Sequence, residues 1–365
     1  MPVKKKSSWY LVGVAIFIKI CGIYFATQIF SSYTPLVDSQ RYLSGLYTGE
    51  NGYRTTIVQW LATSLSQFGG HYFAHFIFSL ISVSGLIYYY LTGGQRYLML
   101  LTLVPPSIFV WSSIVGKEAI FCGGVGLTLV IWSSYTIRPL RYYEYLVLTT
   151  SLIVCFLFRP HYAVAILWLY TASFGIKNFK KKTAIILTIL YTVILILVYL
   201  LIWNELLFRG YSGIESAARS SRFEYFGILP NGEAHHASFM LFKEYIPLGM
   251  IIGIVGPLPM EVFKRIEFLP FFIEGIAILL SPLIIYYWAI SNKLLENTNI
   301  KIYFISCFAP AIFFLMLIHA PFGILNPGTA IRWRTNFELV FYWAPLLLIF
   351  RLLDEKTNED TTLSS

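Results

Sequence analysis

Five groups of residues in this chain have types and spacings that suit chemistry on an anionic ligand. Asp38, in TPLVDSQRYLSGLY, is a carboxylate just beyond the first apolar run, with Arg41 close behind it. An acid there can act as a general base, or bind a metal ion or a sugar hydroxyl. The alternative is a solvated loop acid paired with Arg41. In PPSIFVWSSIVGKEAIF, residues 105–121, two prolines interrupt an apolar run and Lys117-Glu118 opens the next. An anion at that point can use both a helix N-terminus and the lysine. Charges flanked this closely by apolar residues are costly unless used; otherwise they form an interfacial Lys–Glu pair. Arg159 and His161 flank Pro160 and suit a diphosphate or proton transfer, against the plainer reading of His161 as a hydrogen-bonded residue. In NPGTAIRWRTNFE, residues 326–338, Arg332 and Arg334 follow an Asn-Pro-Gly turn. Side chains two apart on a helix do not share a face, so this pair serves one ligand more readily on an extended segment. The alternative is a membrane-edge anchor assisted by Trp333. Finally, Arg209, Arg219, Arg222, His235 and His236 crowd one long polar stretch, and Arg presents a planar fork that grips phosphate oxygens bidentately.

The elements that must position these residues are membrane helices. Hydrophobic residues make up 57% of the 365-residue chain and charged residues only 12%, with a mean hydropathy of +0.67. A soluble domain carries about 25% charged residues, so this composition excludes a soluble enzyme, and it is the opposite of a disordered chain. The net charge of +9 is then a question of which loops hold Lys and Arg, not a sign of nucleic-acid binding. Cys21, Cys122, Cys155 and Cys307 all fall in apolar runs, without metal-ligand spacing. There is no P-loop and no GxGxxG after a strand.

Lys4-Lys5-Lys6 precede an apolar run from Trp9 to about Phe30. It is too long for a signal-peptide core and reads as an uncleaved first span. Further spans are expected at 71–92, 95–115, 118–137, 143–158, 161–176, 183–203, 269–290, 302–320 and 337–353. The fold class is therefore an all-α polytopic bundle of about ten spans, or eleven if the Gly- and Pro-rich stretch 246–262 crosses rather than re-enters. Residues 1–353 read as one integral membrane domain with outer loops at about 31–70 and 204–245, and 354–365 as a polar tail. With the N-terminus in the cytoplasm, Arg96, Arg138, Arg141, Lys177 and Lys180 to Lys182 join the first lysines inside, against Arg41, Arg54, Lys117 and Arg159 outside. Lys predominates on the inner side and Arg on the outer, a bias that weakens but survives if 246–262 crosses.

The acid of the first outer loop (Asp38), the PSIFVWSSIVGKE segment, the GTAIRWR segment and the long Arg-containing outer loop resemble features of bacterial O-antigen and capsule polymerases of the Wzy type. They also resemble the wider class of GT-C-like membrane glycosyltransferases with lipid-linked donors. The resemblance implies a GT-C-like bundle in the bacterial inner membrane that polymerises polyprenyl-diphosphate-linked oligosaccharide repeat units on its outer face. It implies a catalytic or metal-binding role for Asp38; Glu118, as a second acid, and His161, from its place beside Pro160, are the other catalytic candidates. It implies diphosphate binding by Arg41, Lys117, Arg159, Arg209, Arg219, Arg222, Arg332 and Arg334. Such polymerases are thought to work without a cofactor, whereas the GT-C acid can hold a divalent metal, with Glu50 or Glu118 as the second acid, so metal use stays open. The implied partners are the polyprenyl-linked glycan, membrane lipid and a chain-length regulator or other polysaccharide assembly proteins, with no nucleic acid. Two other functions stay open: a transferase adding a single sugar from a polyprenyl-phosphate donor, and a transporter or flippase of lipid-linked oligosaccharide.

Overall fold

The computed structural model describes residues 8–33, 36–46, 52–179, 181–201, 246–292, 298–325 and 327–363. Among these the regular structure is helical throughout, with no strand. In order, the helices are α1 (Trp9–Tyr33, with a π turn at Phe25–Phe30), α2 (Val37–Ser44), α3 (Tyr53–Ser82), α4 (Ser84–Leu91), α5 (Pro106–Trp111) and α6 (Lys117–Ile137). Next come α7 (Tyr142–Phe158), α8 (Pro160–Asn178), α9 (Lys181–Leu201), α10 (Ile246–Val255), α11 (Pro259–Lys264) and α12 (Leu269–Ser291). The series ends with α13 (Thr298–Tyr303), α14 (Ala309–Leu325), α15 (Pro327–Arg334) and α16 (Glu338–Leu363).

The described residues hold 5 helices long and apolar enough to cross a membrane, or up to 6 when the bent pair α3–α4 counts as one. This corrects the ten continuous spans expected from hydropathy. The run at 95–115 is broken: a 3-10 turn at Tyr97–Leu103 stops before Pro105, α5 is only 6 residues long, and residues 112–116 leave the helix. Pro106 has no N–H to donate, and each proline disfavours helix in the residue before it. The run at 143–158 is a helix of 17 residues, and 183–203 is helical in α9, with Ile185–Leu201 its apolar part. Each apolar stretch stands at the short end of the roughly 17–25 residues of a crossing, and neither is among the 5. The run at 161–176 is helical in α8 but not apolar enough to count. The run at 71–92 starts after a kink at Gly70, whose φ of +82° suits glycine, and bends by 55° at Val83.

Two other stretches differ from expectation. Residues 31–70, read as an outer loop, are largely helical in α2 and the first half of α3. The polar stretch after residue 353 continues α16 as far as Leu363. The stretch at 204–245 lies outside the described residues.

The chain divides into two compact units: residues 1–167 with 335–365, and residues 168–334. In the first, α6 is the central helix and is buried along most of its length. Its glycines let neighbours approach at backbone distance. A Cβ on Gly123 would lie 2.1 Å from the Ile81 carbonyl oxygen, and one on Gly85 of α4 would lie 2.2 Å from the Gly126 carbonyl carbon. Trp343 of α16 covers Gly126 from another side. Small residues at such crossings replace the hydrophobic driving force that helices lack inside lipid.

The end of this unit opposite Lys117 is tied by polar and aromatic contacts. At the end where α1 begins, the Ser8 N–H donates to Tyr90 O (3.4 Å) and Tyr10 bonds Tyr97 (2.6 Å). Arg351 lies over the Tyr89 ring there and Arg96 over Phe350. At the far end of α6 from Lys117, Arg138 forks onto Glu144 at 2.5 and 2.8 Å.

In the second unit, α10 packs against α12 and α14. Its 10 residues span about 15 Å, half the hydrocarbon core of a bilayer. Gly256-Pro257-Leu258 then ends it before α11. The stretch 246–262 is thus a half-helix and a break. Trp168 stacks on Tyr191 at 4.4 Å, and its indole N–H donates to Ser306 O at 3.1 Å.

Candidate functional site

The first unit gathers its polar groups along the broken segment 105–117 and at the start of α6. Lys117 Nζ donates to Thr55 Oγ1 at 2.7 Å, which ties the first turn of α6 to the first turn of α3. Glu118 is buried and accepts from Arg159 Nη2 at 2.8 Å, with only 10% of the Arg159 side chain and 2% of the Glu118 side chain exposed. Arg159 occupies the break between α7 and α8 that Pro160 enforces, so the end of one helix pair is pinned to the start of α6. Removing one partner of such a pair costs about 3–5 kcal/mol, because the other charge stays buried. Lys117, Glu118 and Arg159, chosen from sequence as separate candidates, therefore stand together.

His161 follows immediately, its ring edge-on to Tyr162 at 4.2 Å. Tyr162 is itself packed between Phe121 and Phe337. Asp38 is partly exposed in the first turn of α2, and Arg41 is exposed in the last. Leu36, two residues before Asp38, packs in an apolar cluster with Ala26, Val110 and Ile114. That contact sets the start of α2 beside the broken segment. Glu50 lies outside the described residues.

The broken segment is held by side chains from three other elements. Lys19 of α1, 1% exposed, donates to Ser112 Oγ, to Ser113 Oγ (3.3 Å) and to Ile108 O (3.5 Å). His75 Nδ1 of α3 accepts the Val115 N–H at 3.0 Å. That bond makes Nδ1 the acceptor and leaves the proton of a neutral ring on Nε2. Ser107 Oγ donates to Glu338 Oε2 of α16 at 3.0 Å. Beside Ser112, a small cavity of about 20 Å³ is lined by Ser82, Thr102, Cys122 and Trp343 among others, enough room for about one water.

Arg334 is the centre of a different arrangement in the second unit. It is wholly buried, and its Nη1 donates to Ile254 O (2.6 Å) and Gly256 O (3.0 Å). Its Nη2 donates to Phe271 O (3.0 Å) and Glu274 Oε2 (2.6 Å). The last carbonyls of a helix lack intrahelical donors, and inside a membrane they need protein partners. Arg334 supplies them where α10 stops. Gly275 makes room for it: a Cβ there would lie 2.6 Å from Arg334 Nη1, Ile254 O and Val255 O. Arg332 is partly exposed and lies on the same short helix, α15. Two residues apart on a helix, the two arginines point to different sides, so this geometry does not give the pair one shared ligand.

Arg209, Arg219, Arg222, His235 and His236 lie outside the described residues. Among the described residues, no three His, Cys, Asp or Glu side chains are grouped to hold a metal ion. Sequence reasoning read His75 as filling a helix interface, noted Lys19 and Glu274 only as deep charges, and assigned no role to Glu338 or the three serines. The available signals were a lysine in mid-span, acids inside the apolar runs FFIEGIAILL and NFELVFYW, and Ser-Ser before Gly-Lys-Glu. No family model, curated protein or solved structure matches this chain.

Proposed function

We propose that this chain is a membrane glycosyltransferase that polymerises polyprenyl-diphosphate-linked oligosaccharide repeat units, of O-antigen or capsule type, on the outer face of a bacterial inner membrane. The observation that carries the reading is the cationic end of the first unit. Lys117 and the buried Arg159–Glu118 pair meet at the N-terminus of α6, on a broken segment inside an apolar bundle. Oriented N–H groups and a fixed cation favour an anion there.

In the proposed reaction, Lys117 and the N-terminus of α6 hold the diphosphate, and Arg159 with Glu118 fixes their geometry. Asp38 takes the proton from an acceptor hydroxyl of a second lipid-linked unit. That oxygen bonds to the anomeric carbon, the bond from this carbon to the diphosphate breaks, and the diphosphate leaves with the electron pair. Charge accumulates on the leaving group, so fixed donors act mainly on the transition state. Arg334 contributes through the fold of the second unit, by holding the end of α10.

The test is polymer length in cells. Lys117→Ala and Asp38→Asn are each expected to abolish long polymer while the protein remains in the membrane. A normal ladder in both variants contradicts the reading.

One observation favours a second reading, a transporter of the same lipid-linked material. Lys19, Glu338 and the Glu274–Arg334 pair are charged groups buried within apolar helices, and such residues mark transport paths in many membrane proteins. The two readings separate by product: a transporter moves the lipid-linked glycan and forms no new glycosidic bond.

A further inference from the structure

We propose that Lys19 is a positioning residue: its ammonium anchors the broken segment 105–116 and so fixes where Lys117 and the N-terminus of α6 stand. The inference rests on the glycosyl-transfer reading only for what Lys117 binds.

Residues 112–116 lie between α5 and α6 and are all buried; the Ser112 and Ser113 N–H groups still donate back to Ile108 O and Val110 O, both at 3.2 Å, and the Val115 N–H donates to His75. Their buried hydroxyls, and the place where the helix is left, depend on side-chain bonds as well. Lys19 supplies three of those bonds from one atom, to Ile108 O, Ser112 Oγ and Ser113 Oγ. Each hydroxyl is oriented in turn, since Ser112 donates to Ile108 O (2.6 Å) and Ser113 to Phe109 O (2.7 Å). The hydroxyls therefore present lone pairs to the ammonium. Gly22, one turn along α1 from Lys19, permits the approach: a Cβ there would lie 2.5 Å from Ser113 Oγ and 2.7 Å from Phe109 O. A lysine has three protons, and this one meets three oxygen acceptors. No carboxylate lies within ion-pair distance of it among the described residues. Its ammonium is thus bound by oxygens of the segment, and the segment is drawn onto α1. Four residues after Ser113 the chain reaches Lys117, so a shift of the anchored stretch carries over to the Lys117–Thr55 contact.

The test uses the full chain in native membranes, with Cys21→Ser and the reporter Gly116→Cys. A Cβ at Gly116 meets only the Glu118 carboxylate and nitrogen, at 3.0 and 4.0 Å, and the position is buried, so maleimide labelling of the reporter is slow. Lys19→Met is expected to speed it by at least about tenfold, because hydrogen bonds to a charged donor hold the segment closed. Ser112→Ala with Ser113→Ala should reproduce the effect, and adding both to Lys19→Met should change little further, as for groups acting through one contact. In the chain without the reporter, Lys19→Met should raise the KM for a lipid-linked donor more than it lowers kcat. If Lys19→Met does not fold, Ser113→Ala alone, which removes the 3.3 Å bond, should shift labelling in the same direction. Unchanged labelling, additive effects, or a labelling change without a KM change in an active chain overturns the anchor. A labelling change in a chain whose unsubstituted form makes no polymer supports the anchor and removes the glycosyl-transfer reading.

Discussion

Gly275→Ala reverses the sign that helix propensity alone would give. Gly275 sits inside α12, and alanine is favoured over glycine in a helix interior by about 1 kcal/mol. The added methyl, however, would lie 2.6 Å from Arg334 Nη1 and from two backbone carbonyl oxygens, of Ile254 and Val255. Backbone cannot swing aside as a side chain can, so either the end of α10 moves or Arg334 withdraws. Overpacking of this kind costs about 1–3 kcal/mol. Withdrawal of Nη1 also loses its bonds to Ile254 O and Gly256 O, each worth about 1.5–3 kcal/mol with a charged donor. With the helix gain subtracted, the expected net loss is about 0–2 kcal/mol if α10 shifts with its bonds intact and about 3–8 kcal/mol if Nη1 withdraws as well. The assay is reversible unfolding in mixed micelles, followed by tryptophan fluorescence. Gly13→Ala is the internal control, since a Cβ at Gly13 of α1 meets nothing within 4 Å; it is expected to be neutral or stabilising by up to about 1 kcal/mol. If Gly275→Ala moves in the same direction as Gly13→Ala, Arg334 does not cap α10 as argued.

Three further outcomes are expected. Arg159→Ala should destabilise the protein by about 3–5 kcal/mol, whereas Arg159→Met combined with Glu118→Gln should be milder, because no lone buried charge remains; equal losses on unfolding would contradict the pairing. Gly85→Val should disrupt the α4–α6 crossing, where the added Cβ meets the Gly126 backbone at 2.2 Å, with a cost of about 1–3 kcal/mol or more, read as loss of folded protein in detergent extracts. Glu274→Ala should leave Arg334 buried with backbone partners only, at about 3–5 kcal/mol, while Glu274→Gln keeps an acceptor and should lose less; the same unfolding assay ranks them.

The membrane character of the chain was legible in its composition, and the spans at Trp9–Tyr33, Lys117–Ile137, Ile266–Ser291, Lys301–Ala320 and Ile331–Leu353 follow the apolar runs closely. What hydropathy misread were runs equally apolar but interrupted. Pro105-Pro106 breaks 95–115 and Gly70 kinks the entry into 71–92, whereas the Gly- and Pro-rich 246–262 already reads from sequence as a stretch that need not cross. A hydropathy window averages over such residues, so it reports burial and not continuity. The helix in 53–69 was missed for the opposite reason, since TTIVQWLATSLSQF mixes small polar and apolar residues too evenly for a window to register.

Of the site, Lys117, Glu118 and Arg159 were readable because each interrupts an apolar run. Their mutual contact was not, because it joins residues 41 positions apart. Arg334 was readable as an arginine worth explaining, but its partners at Ile254, Gly256, Phe271 and Glu274 come from two distant helices and a break. Lys19 stood out only as a charge in a span, and its acceptors are serines, which leave little trace in a hydropathy profile.

The most direct measurement is reconstitution of the purified full-length protein into vesicles with a defined polyprenyl-diphosphate-linked oligosaccharide as the only substrate. The account predicts a ladder of products differing by one repeat unit, formed with release of polyprenyl diphosphate and lost in Lys117→Ala. Substrate that crosses the bilayer with no new glycosidic bond, or a chain extended by one sugar only from a polyprenyl-phosphate donor, would contradict it.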